Sequence, residues 1–275
     1  MVATTRDEQR NRLNNDEGDE MATAVDTQEL ETKVKTMYRH VAEEPQGDYH
    51  FELGRPLAER LGYPPAVLDR VPGGAIESFA GVGYFFDLAA LSEGESVIDL
   101  GSGSGLDVFF AAVEVGTAAR VVGVDFTLEQ LEKARRLSAD SGFPQVEFRE
   151  GRIEQAPAGD ESADCVISNG VINLAPDKER VFSDAARLLR PGGRLAIADI
   201  VSEQQLKESI VCDADLWASC IGGAAQQDGY RQSIESAGLR IEEFRENPYE
   251  FSSRRAVDAS AKYGVKSVSL LAVKH

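Results

Sequence analysis

The 275-residue sequence is poor in cysteine and in long apolar runs, and each shortage excludes a class of protein. The chain has three cysteines, Cys165, Cys212 and Cys220. A disulfide framework needs more cysteines and an even number of them. No apolar run is long enough to cross a bilayer, so no transmembrane helix is expected. The polar, acidic N-terminus has no apolar signal-peptide core. We therefore predict a cytoplasmic protein that does not insert into membranes.

Positive charge is also scarce, because 47 acidic residues stand against 29 basic ones and the formal net charge is −18. Such a surface repels phosphate backbones, so we expect no nucleic-acid partner. The acidic residues are spread along the whole chain, and arginine far outnumbers lysine. A diffuse acidic surface suits a protein that works at high salt, where repulsion is screened over short distances.

One stretch, VIDLGSGSGLDVFFAAVEVGTAARVVGVD, has the pattern of a βαβ unit with a glycine-rich turn. An apolar run over 96–100 leads to Gly101, Gly103 and Gly105, then to an apolar segment of helical length and a second run that ends in Asp125. Glycine lets the backbone turn sharply and approach a ligand. The helix that follows offers unpaired N–H groups. Asp125 can accept both hydroxyl hydrogens of a ribose.

The spacing of these glycines separates two classes of cofactor. A dinucleotide-binding turn reads G-x-G-x-x-G/A, which requires a small residue where this chain has Leu106. The chain reads G-x-G-x-G after Asp99 instead, and this resembles the first motif of class I S-adenosylmethionine-dependent methyltransferases. The resemblance implies S-adenosylmethionine as the cofactor, with its methionine end in the loop. A nicotinamide-dependent oxidoreductase is the alternative, but Leu106 and the lack of a Tyr-x-x-x-Lys pair argue against it.

The remainder of the chain alternates apolar runs with helical patterns, which predicts an α/β, Rossmann-like, doubly wound fold. We expect a seven-stranded, mostly parallel sheet with an antiparallel last strand. The predicted strands are 96–100, 120–124, 146–149, 163–168, 194–200, 239–246 and 265–273. The predicted helices are 28–41, 55–62, 66–71, 105–115, 127–141, 176–189, several across 203–237, and 254–263.

We divide the chain into three parts. Residues 1–25 form an acidic leader that we predict to be disordered. Residues 26–90 form an N-terminal helical cap on the substrate side, whose first helix is capped by Asp26 or Thr27 and is interpreted as a packing helix. Residues 91–275 form the methyltransferase core, with a helical insert over 203–237.

Several stretches resemble arsenite methyltransferases more specifically. They are SNGVINLAPDK from Ser168, RLLRPGGR from Arg187 and WASCIGGA from Trp217, together with SFAGVG before the first strand and GVDFT after the second. The resemblance covers about residues 75–240 and implies methyl transfer to a small-molecule acceptor.

The same resemblance implies a set of cofactor-binding residues. The loop residues that hold the methionine portion are Asp99, Gly101, Ser102, Gly103 and Gly105. Asp125 takes the ribose, Phe126 or Thr127 lies beside the adenine, Ile153 and Glu154 lie against the adenine edge, and Asn169 lies near the sulfonium. Ile153 could instead be a core residue, and Asn169 could instead satisfy backbone groups at a strand end.

One position departs from that family. Arsenite methyltransferases carry a cysteine where this chain has Gly170, and arsenic(III) is soft and is held by thiolates. Cys220 matches a family cysteine, and Cys212 lies eight residues before it. That separation is about 12 Å on a continuous helix, so both sulfurs could bind one arsenic atom only if the segment breaks between them. Cys165 is interpreted as a small core residue.

Two classes of acceptor therefore stay open. One is arsenite, held by Cys220 and Cys212. The other is a carbon, oxygen or sulfur nucleophile of an apolar small organic molecule. A carbon or oxygen acceptor needs a base, for which His50 is the first candidate and His40 the second. A third hypothesis is a non-catalytic binding protein that keeps the fold and has lost its acceptor site. No metal cofactor is predicted.

Aromatic residues next to these motifs have two interpretations each. The stretch SFAGVGYFF from Ser78 is either a loop over a bound ligand or an apolar plug under the N-terminal helices. Tyr84 and Trp217 are either walls of an apolar acceptor site or core residues.

Overall fold

A computed structural model describes residues 26–213, 216–217 and 221–275. The leader over 1–25 and Cys220 lie outside the described residues, so what the sequence predicts for them stays a prediction. The helices are α1 (Thr27–Glu43), α2 (Arg55–Leu61), α3 (Pro65–Leu68), α4 (Gly73–Glu77), α5 (Phe86–Ala89), α6 (Leu106–Val115), α7 (Leu128–Ser141), α8 (Lys178–Leu188), α9 (Glu208–Val211), α10 (Gln227–Ser236) and α11 (Arg254–Tyr263). The strands are β1 (Val97–Leu100), β2 (Val121–Asp125), β3 (Val146–Glu150), β4 (Ala163–Asn169), β5 (Leu189–Ser202), β6 (Ala225–Gln226), β7 (Leu239–Glu246) and β8 (Lys266–Lys274).

The strands form one sheet in the order β3-β2-β1-β4-β5-β8-β7, and β6 pairs with β5 beside this path. Strands β1 to β5 pair in parallel, whereas β8 is antiparallel to both β5 and β7. The strand order reverses between β1 and β4, which is where ligands bind in open α/β sheets. The predicted Rossmann-like fold with an antiparallel last strand is confirmed.

The described residues form eight strands, one more than the seven predicted. The extra strand is β6, Ala225–Gln226, which pairs in parallel with Val201 and Ser202 of β5. It lies inside the stretch over 203–237 that was predicted to be helical. Two residues are too short to show the alternation of apolar and polar residues by which a strand is recognised in a sequence.

The central strands are buried on both faces, which explains why they read as continuous apolar runs. Every residue of β1 and of β2 is buried, including the acids Asp99 and Asp125. One apolar cluster packs the helices from α2 through α7 against one face of the sheet, with residues such as Phe86 and Phe109. A second cluster packs α8 and α10 on the other face, through Phe182 and Tyr230. In β1 and β2 the charged residues, Asp99 and Asp125, thus lie at or next to the carboxyl ends of the strands.

The helices of the described ranges include none that is both long and apolar enough to cross a membrane. The first five helices all precede β1 and form the N-terminal cap. Asp26 begins the first of them, because its carboxylate accepts hydrogen bonds from the backbone N–H groups of Gln28 and Glu29 at 2.9 and 3.1 Å. Of the two capping residues that the sequence allows, the structure uses Asp26.

Candidate functional site

A cavity of about 550 Å³ opens at the carboxyl ends of β1, β2 and β4. Every residue predicted to bind the cofactor contributes to its lining, namely Asp99, Gly101, Ser102, Gly103, Gly105, Asp125, Phe126, Thr127, Ile153, Glu154 and Asn169. The fold thus brings together side chains that are up to 70 positions apart in the sequence, since Asp99 is in β1 and Asn169 ends β4. Among the described residues, no three His, Cys, Asp or Glu side chains are arranged so that they could hold a metal ion.

The glycine-rich loop has a backbone conformation that other residues rarely adopt. Gly101 has a φ of +81° and Gly105 a φ of +95°, both in the left-handed region. A Cβ atom on Gly101 would lie 2.5 Å from the side chain of Val171, and one on Gly105 would lie 2.7 Å from Phe148. Both positions therefore require glycine, for the conformation and for the space.

Asp125 holds this loop as well as facing the cavity. Its carboxylate accepts a hydrogen bond from the backbone N–H of Gly103 at 2.9 Å and another from that of Thr127 at 2.8 Å. Burial raises the pKa of Asp125, and these N–H groups oppose the rise. The same carboxylate lines the cavity, where it can accept hydrogen bonds from the hydroxyl groups of a ligand.

Two more buried carboxyl groups lie on the same side of the cavity. Asp107, in the first turn of α6, accepts a hydrogen bond from the hydroxyl of Tyr63 at 2.5 Å and one from Asn169 Nδ2 at 3.0 Å. Burial raises the pKa of Asp107 to about 6, against the effect of these two donors. Burial, and then the charges of Asp107 and Asp125, raise the pKa of Asp99 well above its usual range. A cationic ligand would relieve this concentration of negative charge.

Asn169 connects the cavity to the aromatic stretch that begins at Ser78. Its Oδ1 accepts from the backbone N–H of Val82 at 2.8 Å, and its Nδ2 donates to the carbonyl of Gly83 at 3.1 Å. Asn169 therefore satisfies backbone groups and also lines the cavity, and its place near the sulfonium stays a prediction. The aromatic stretch is likewise divided between the cavity and the core. Residues 78–81 line the cavity, whereas Phe85 and Phe86 are buried in the core.

Helix α1 forms the opposite side of the cavity, although the sequence indicated a packing helix. It contributes Thr27, Leu30, Glu31, Val34 and Tyr38 to the lining. The sequence pattern identifies a buried face on α1 but not the element against which that face lies.

Asp107 and Tyr63 were also missed. An acid inside the apolar run LDVFFAAV is the signal that could have identified Asp107. An acid in the first turn of a helix is common for another reason, because it interacts favourably with the helix dipole.

Of the residues predicted for the acceptor side, the structure describes Cys212 and His50, and it places both outside the cavity lining. Cys212 follows the last residue of α9 and is half-buried. Since α9 ends at Val211, the segment does break after this point, as convergence of two cysteines requires. The backbone carbonyl of His50 accepts a hydrogen bond from Ser252 at 2.6 Å, and its ring packs edge-on against Phe51. Neither side chain is among the described residues that line the cavity.

The remaining candidates are core residues. Tyr84 packs within the cluster around α6 and is half-buried. Trp217 is buried behind the cavity lining, where it packs with Leu30, Val34 and Leu174. Cys165 is fully buried in β4, and burial raises the pKa of its thiol to about 12. The interpretation of Cys165 as a core residue is confirmed.

Gly170 has a structural reason to be glycine in this chain. Its φ is +70°, in the left-handed region, and a Cβ atom there would lie 3.1 Å from Val82 Cγ1. A cysteine at this position would therefore strain the backbone and press on Val82. The local geometry agrees with the absence of the family cysteine.

Comparison with known proteins identifies the family. Residues 91–238 match the family model described as a methyltransferase domain. An arsenite methyltransferase from Halobacterium salinarum is 44% identical over 186 residues, which are 68% of this chain and 47% of that protein. An arsenite methyltransferase from Aquipseudomonas alcaligenes is 43% identical over 157 residues, which are 54% of this chain and 45% of that protein. The chain thus spans about half the length of the curated relatives that it matches.

A solved structure agrees with these matches. It is an arsenic(III) S-adenosylmethionine methyltransferase from Chlamydomonas reinhardtii, which superposes with a TM-score of 0.63 at 33% identity, over 76% of this chain and 73% of that one. The chain therefore belongs to the class I S-adenosylmethionine-dependent methyltransferases and, within them, resembles the arsenite methyltransferases.

Proposed function

We propose that this chain transfers a methyl group from S-adenosylmethionine to a small acceptor, and that arsenite is the first acceptor to test. The observation that carries the proposal is the cavity at the switch in strand order, where a left-handed glycine loop meets three buried carboxyl groups. The cofactor has an ammonium and a sulfonium group, and these two positive charges complement the carboxyl groups.

The residues present fit this cofactor. The hydroxyl of Ser102 is buried, lines the cavity and has no hydrogen-bond partner among the described residues. Buried polar atoms normally have a partner, so this hydroxyl suits a polar atom of a ligand. We assign the methionine portion to Asp99 and the loop 101–105, and the ribose to Asp125.

The adenine would lie between Phe126, Thr127, Ile153 and Glu154. When bound, the cofactor supplies a methyl group on a positively charged sulfur. A lone pair of the acceptor would attack the methyl carbon in line while the C–S bond breaks and the sulfur keeps the bonding pair as a neutral thioether. The protein would align the acceptor and exclude water. Leu30 and Val34 of α1, together with Leu174, give the cavity an apolar side that suits this task.

Arsenite as the acceptor is supported by the 44% identity to the Halobacterium salinarum enzyme and by the end of α9 before Cys212. We propose that Cys212 and Cys220 act on the acceptor side, as thiolate ligands of arsenic(III). We further propose that the protein acts in the cytoplasm.

A second acceptor class is favoured by one observation, the left-handed conformation at Gly170, which a cysteine could adopt only with strain. Without a thiol there, arsenic would lose one of the ligands that the family provides, and an apolar organic molecule with a carbon, oxygen or sulfur nucleophile becomes the alternative. His50 would need to approach the cavity to act as the base for such an acceptor. Family membership favours both acceptor classes over a nicotinamide-dependent oxidoreductase, and a binding protein without activity is the remaining alternative.

Methyl transfer from labelled S-adenosylmethionine to a panel of acceptors tests the proposal. The panel contains arsenite and apolar organic nucleophiles, and each reaction is run at low and at high salt. We expect label in arsenite, a loss of most of that label in Cys212→Ser and in Cys220→Ser, and little change in Cys165→Ala, which removes a thiol remote from the cavity. Label in organic acceptors alone would overturn arsenite as the acceptor. Label in no acceptor would overturn the proposed activity.

A further inference from the structure

Lys178, the first residue of α8, is half-buried, and its ammonium group contacts backbone carbonyls behind the cavity lining. Its Nζ donates to the carbonyl of Asn173 at 3.2 Å and to that of Ala175 at 2.9 Å. The same Nζ lies 4.8 Å from the centre of the Trp217 ring. Because Ala175 lines the cavity, Lys178 supports the cavity lining from behind.

The turn Ile172–Leu174 in front of Lys178 is held from two sides. On one side, Lys178 binds the carbonyl of Asn173. On the other side, the N–H of Asn173 donates to Asp199 Oδ1 at 3.2 Å, and Asp199 Oδ2 accepts from the hydroxyl of Tyr230 at 2.6 Å. The peptide groups of this turn are therefore fixed by side chains of α8, β5 and α10.

Trp217 joins this turn to the residues on the acceptor side. Its Nε1 donates to the carbonyl of Val211 at 2.5 Å, directly before Cys212. A Cβ atom on Gly222 would lie 2.3 Å from Trp217 Cδ1, and one on Gly223 would lie 1.8 Å from the carbonyl oxygen of Asn173. These two glycines let the backbone close over the ring and the turn. The motif Ile-Gly-Gly after the ring thus has a packing role.

We propose that Lys178 is a positioning residue for methyl transfer. Its ammonium group holds the Trp217 ring against the turn Ile172–Leu174, and this contact sets the end of α9, with Cys212, at a fixed distance from the cofactor cavity. The inference rests on the proposed function, since it concerns the position of the acceptor ligand Cys212 relative to the cofactor cavity. Lys178 itself is behind the lining and is not assigned any contact with substrate.

The charge of Lys178 can be changed by pH. Burial lowers its pKa to about 8, and the carboxylates of Asp199, Asp177 and Glu154 oppose this effect. Asp199 is on β5, Asp177 caps α8 and Glu154 follows β3, so the ammonium group is faced by acids from three elements. Neutral Lys178 loses its attraction to the face of the indole. The contact should therefore weaken as the pH rises above about 8.

Trp217 provides a direct readout, because the chain contains one tryptophan. We expect the tryptophan emission of the wild type to change with pH, with a midpoint near 8. In Lys178→Met and in Lys178→Arg the emission should no longer change with this midpoint, because neither side chain titrates there. Lys262→Met is the matched control, since Lys262 also lies over an aromatic ring, at 5.1 Å from that of Tyr263. It should keep the wild-type titration.

The kinetic readout separates positioning from cofactor binding. With arsenite as the acceptor, we expect Lys178→Met to lower kcat/KM about tenfold, as the loss of a desolvated cation–π contact implies. Lys178→Arg should recover much of this loss, and the affinity for S-adenosylhomocysteine should change less than about twofold in both variants. A purely structural role would lower cofactor affinity and folding stability together.

The outcomes are distinct. A wild-type emission that does not titrate, or a Lys178→Met emission that still titrates near pH 8, would overturn the inference. If Lys178→Met does not fold, the emission and kinetics of Lys178→Arg decide, and an arginine variant that keeps the wild-type titration overturns it. If the wild type methylates no acceptor, the proposed function fails, while the emission titration still tests the contact between Lys178 and Trp217.

Discussion

The two sides of the cavity are stabilised in different ways. The inner wall, consisting of residues 99–107 and Asp125, belongs to the continuous βαβ unit and is fixed by left-handed glycines and buried hydrogen bonds. The outer wall is α1, and it contacts the core through individual side chains. Gln130 donates to the carbonyl of Tyr38 at 2.8 Å, Arg152 pairs with Glu31, and Lys35 lies 5.0 Å from the centre of the Phe126 ring.

The difference indicates a division of tasks between the walls. Rearrangement of the inner wall requires buried hydrogen bonds and buried carboxyl groups to move, whereas displacement of α1 breaks contacts that are partly exposed. Recognition of the cofactor should therefore depend on the inner wall, and closure over it on the outer wall. Substitutions in the inner wall should therefore weaken cofactor binding more than substitutions in the outer wall.

The largest effect is expected for Asp125→Ala, in the inner wall. Loss of two charge-assisted hydrogen bonds to the ribose should weaken binding of S-adenosylhomocysteine by about 4 kcal/mol, roughly a thousandfold in Kd. Isothermal titration calorimetry measures this change, with circular dichroism to verify folding. Asp140→Ala, which removes an exposed acid of α7, should bind as the wild type does. Equal affinity of the Asp125 and Asp140 variants would contradict the assignment of Asp125.

The next effect is on stability, in Gly101→Ala. An alanine there would have to adopt a φ of +81° and its Cβ would lie 2.5 Å from Val171. We therefore expect the free energy of unfolding, measured in urea, to fall by about 3 kcal/mol. Gly142→Ala is the matched control, because its φ is +73° and nothing lies within 4 Å of the added atom. It should cost about 1 to 2 kcal/mol, from the backbone alone. Equal losses in both variants would mean that the close contact with Val171 contributes nothing.

A smaller effect concerns Asp107 and pH. Because burial raises its pKa to about 6, Asp107 is charged above that pH and neutral below it in the free protein. A cationic ligand binds best to the charged form, so affinity for S-adenosylhomocysteine, which keeps the ammonium group, should fall about tenfold between pH 7 and pH 5. Asp107→Asn should lack most of this dependence and bind at pH 7 about as the wild type does at pH 5.

The comparison with Asp160→Asn controls for the loss of an exposed carboxylate, because the Asp160 side chain is 76% exposed. This variant should retain the wild-type pH dependence. Calorimetry at several pH values measures all three proteins. A steeper loss of affinity at low pH in Asp107→Asn than in the wild type would contradict the role of Asp107.

The smallest effect is expected in the outer wall, for Glu31→Gln. The ion pair of Glu31 with Arg152 is partly exposed, with 58% of the arginine side chain accessible, so it should contribute less than about 1 kcal/mol to closure. We expect the Kd for S-adenosylhomocysteine to rise less than about fivefold at low salt, and the difference to vanish at high salt. A loss as large as that of Asp125→Ala would remove the distinction between the two walls.

The inner wall, apart from Asp107, could be predicted from the sequence because its parts are contiguous. The glycines, the two short apolar runs and Asp125 lie within one βαβ unit, and local chemistry explains each of them. Strand β7 and helix α11 also have the predicted bounds, since both are delimited by clear changes of pattern. The features predicted correctly are those that depend on residues close together in the sequence.

The outer wall could not be predicted in this way. The amphipathic pattern of α1 identifies a buried face without its partner. The contact of Tyr63 with Asp107 of the inner wall has no signal in the sequence for the same reason, because it joins residues 44 positions apart. The sequence favours His50 as a base because imidazole titrates near neutral pH and its segment could fold over the crevice, but the sequence does not fix where the backbone places it. In the structure, the backbone carbonyl of His50 accepts a hydrogen bond from Ser252, 202 positions away.

The central claim is that the inner wall binds S-adenosylmethionine, and calorimetric titration of the wild type tests it most directly. S-adenosylhomocysteine and NADPH are titrated separately into the same preparation. We predict saturable binding of S-adenosylhomocysteine to one site per chain and no heat of binding with NADPH. Binding of NADPH, or no binding of S-adenosylhomocysteine, would contradict the account.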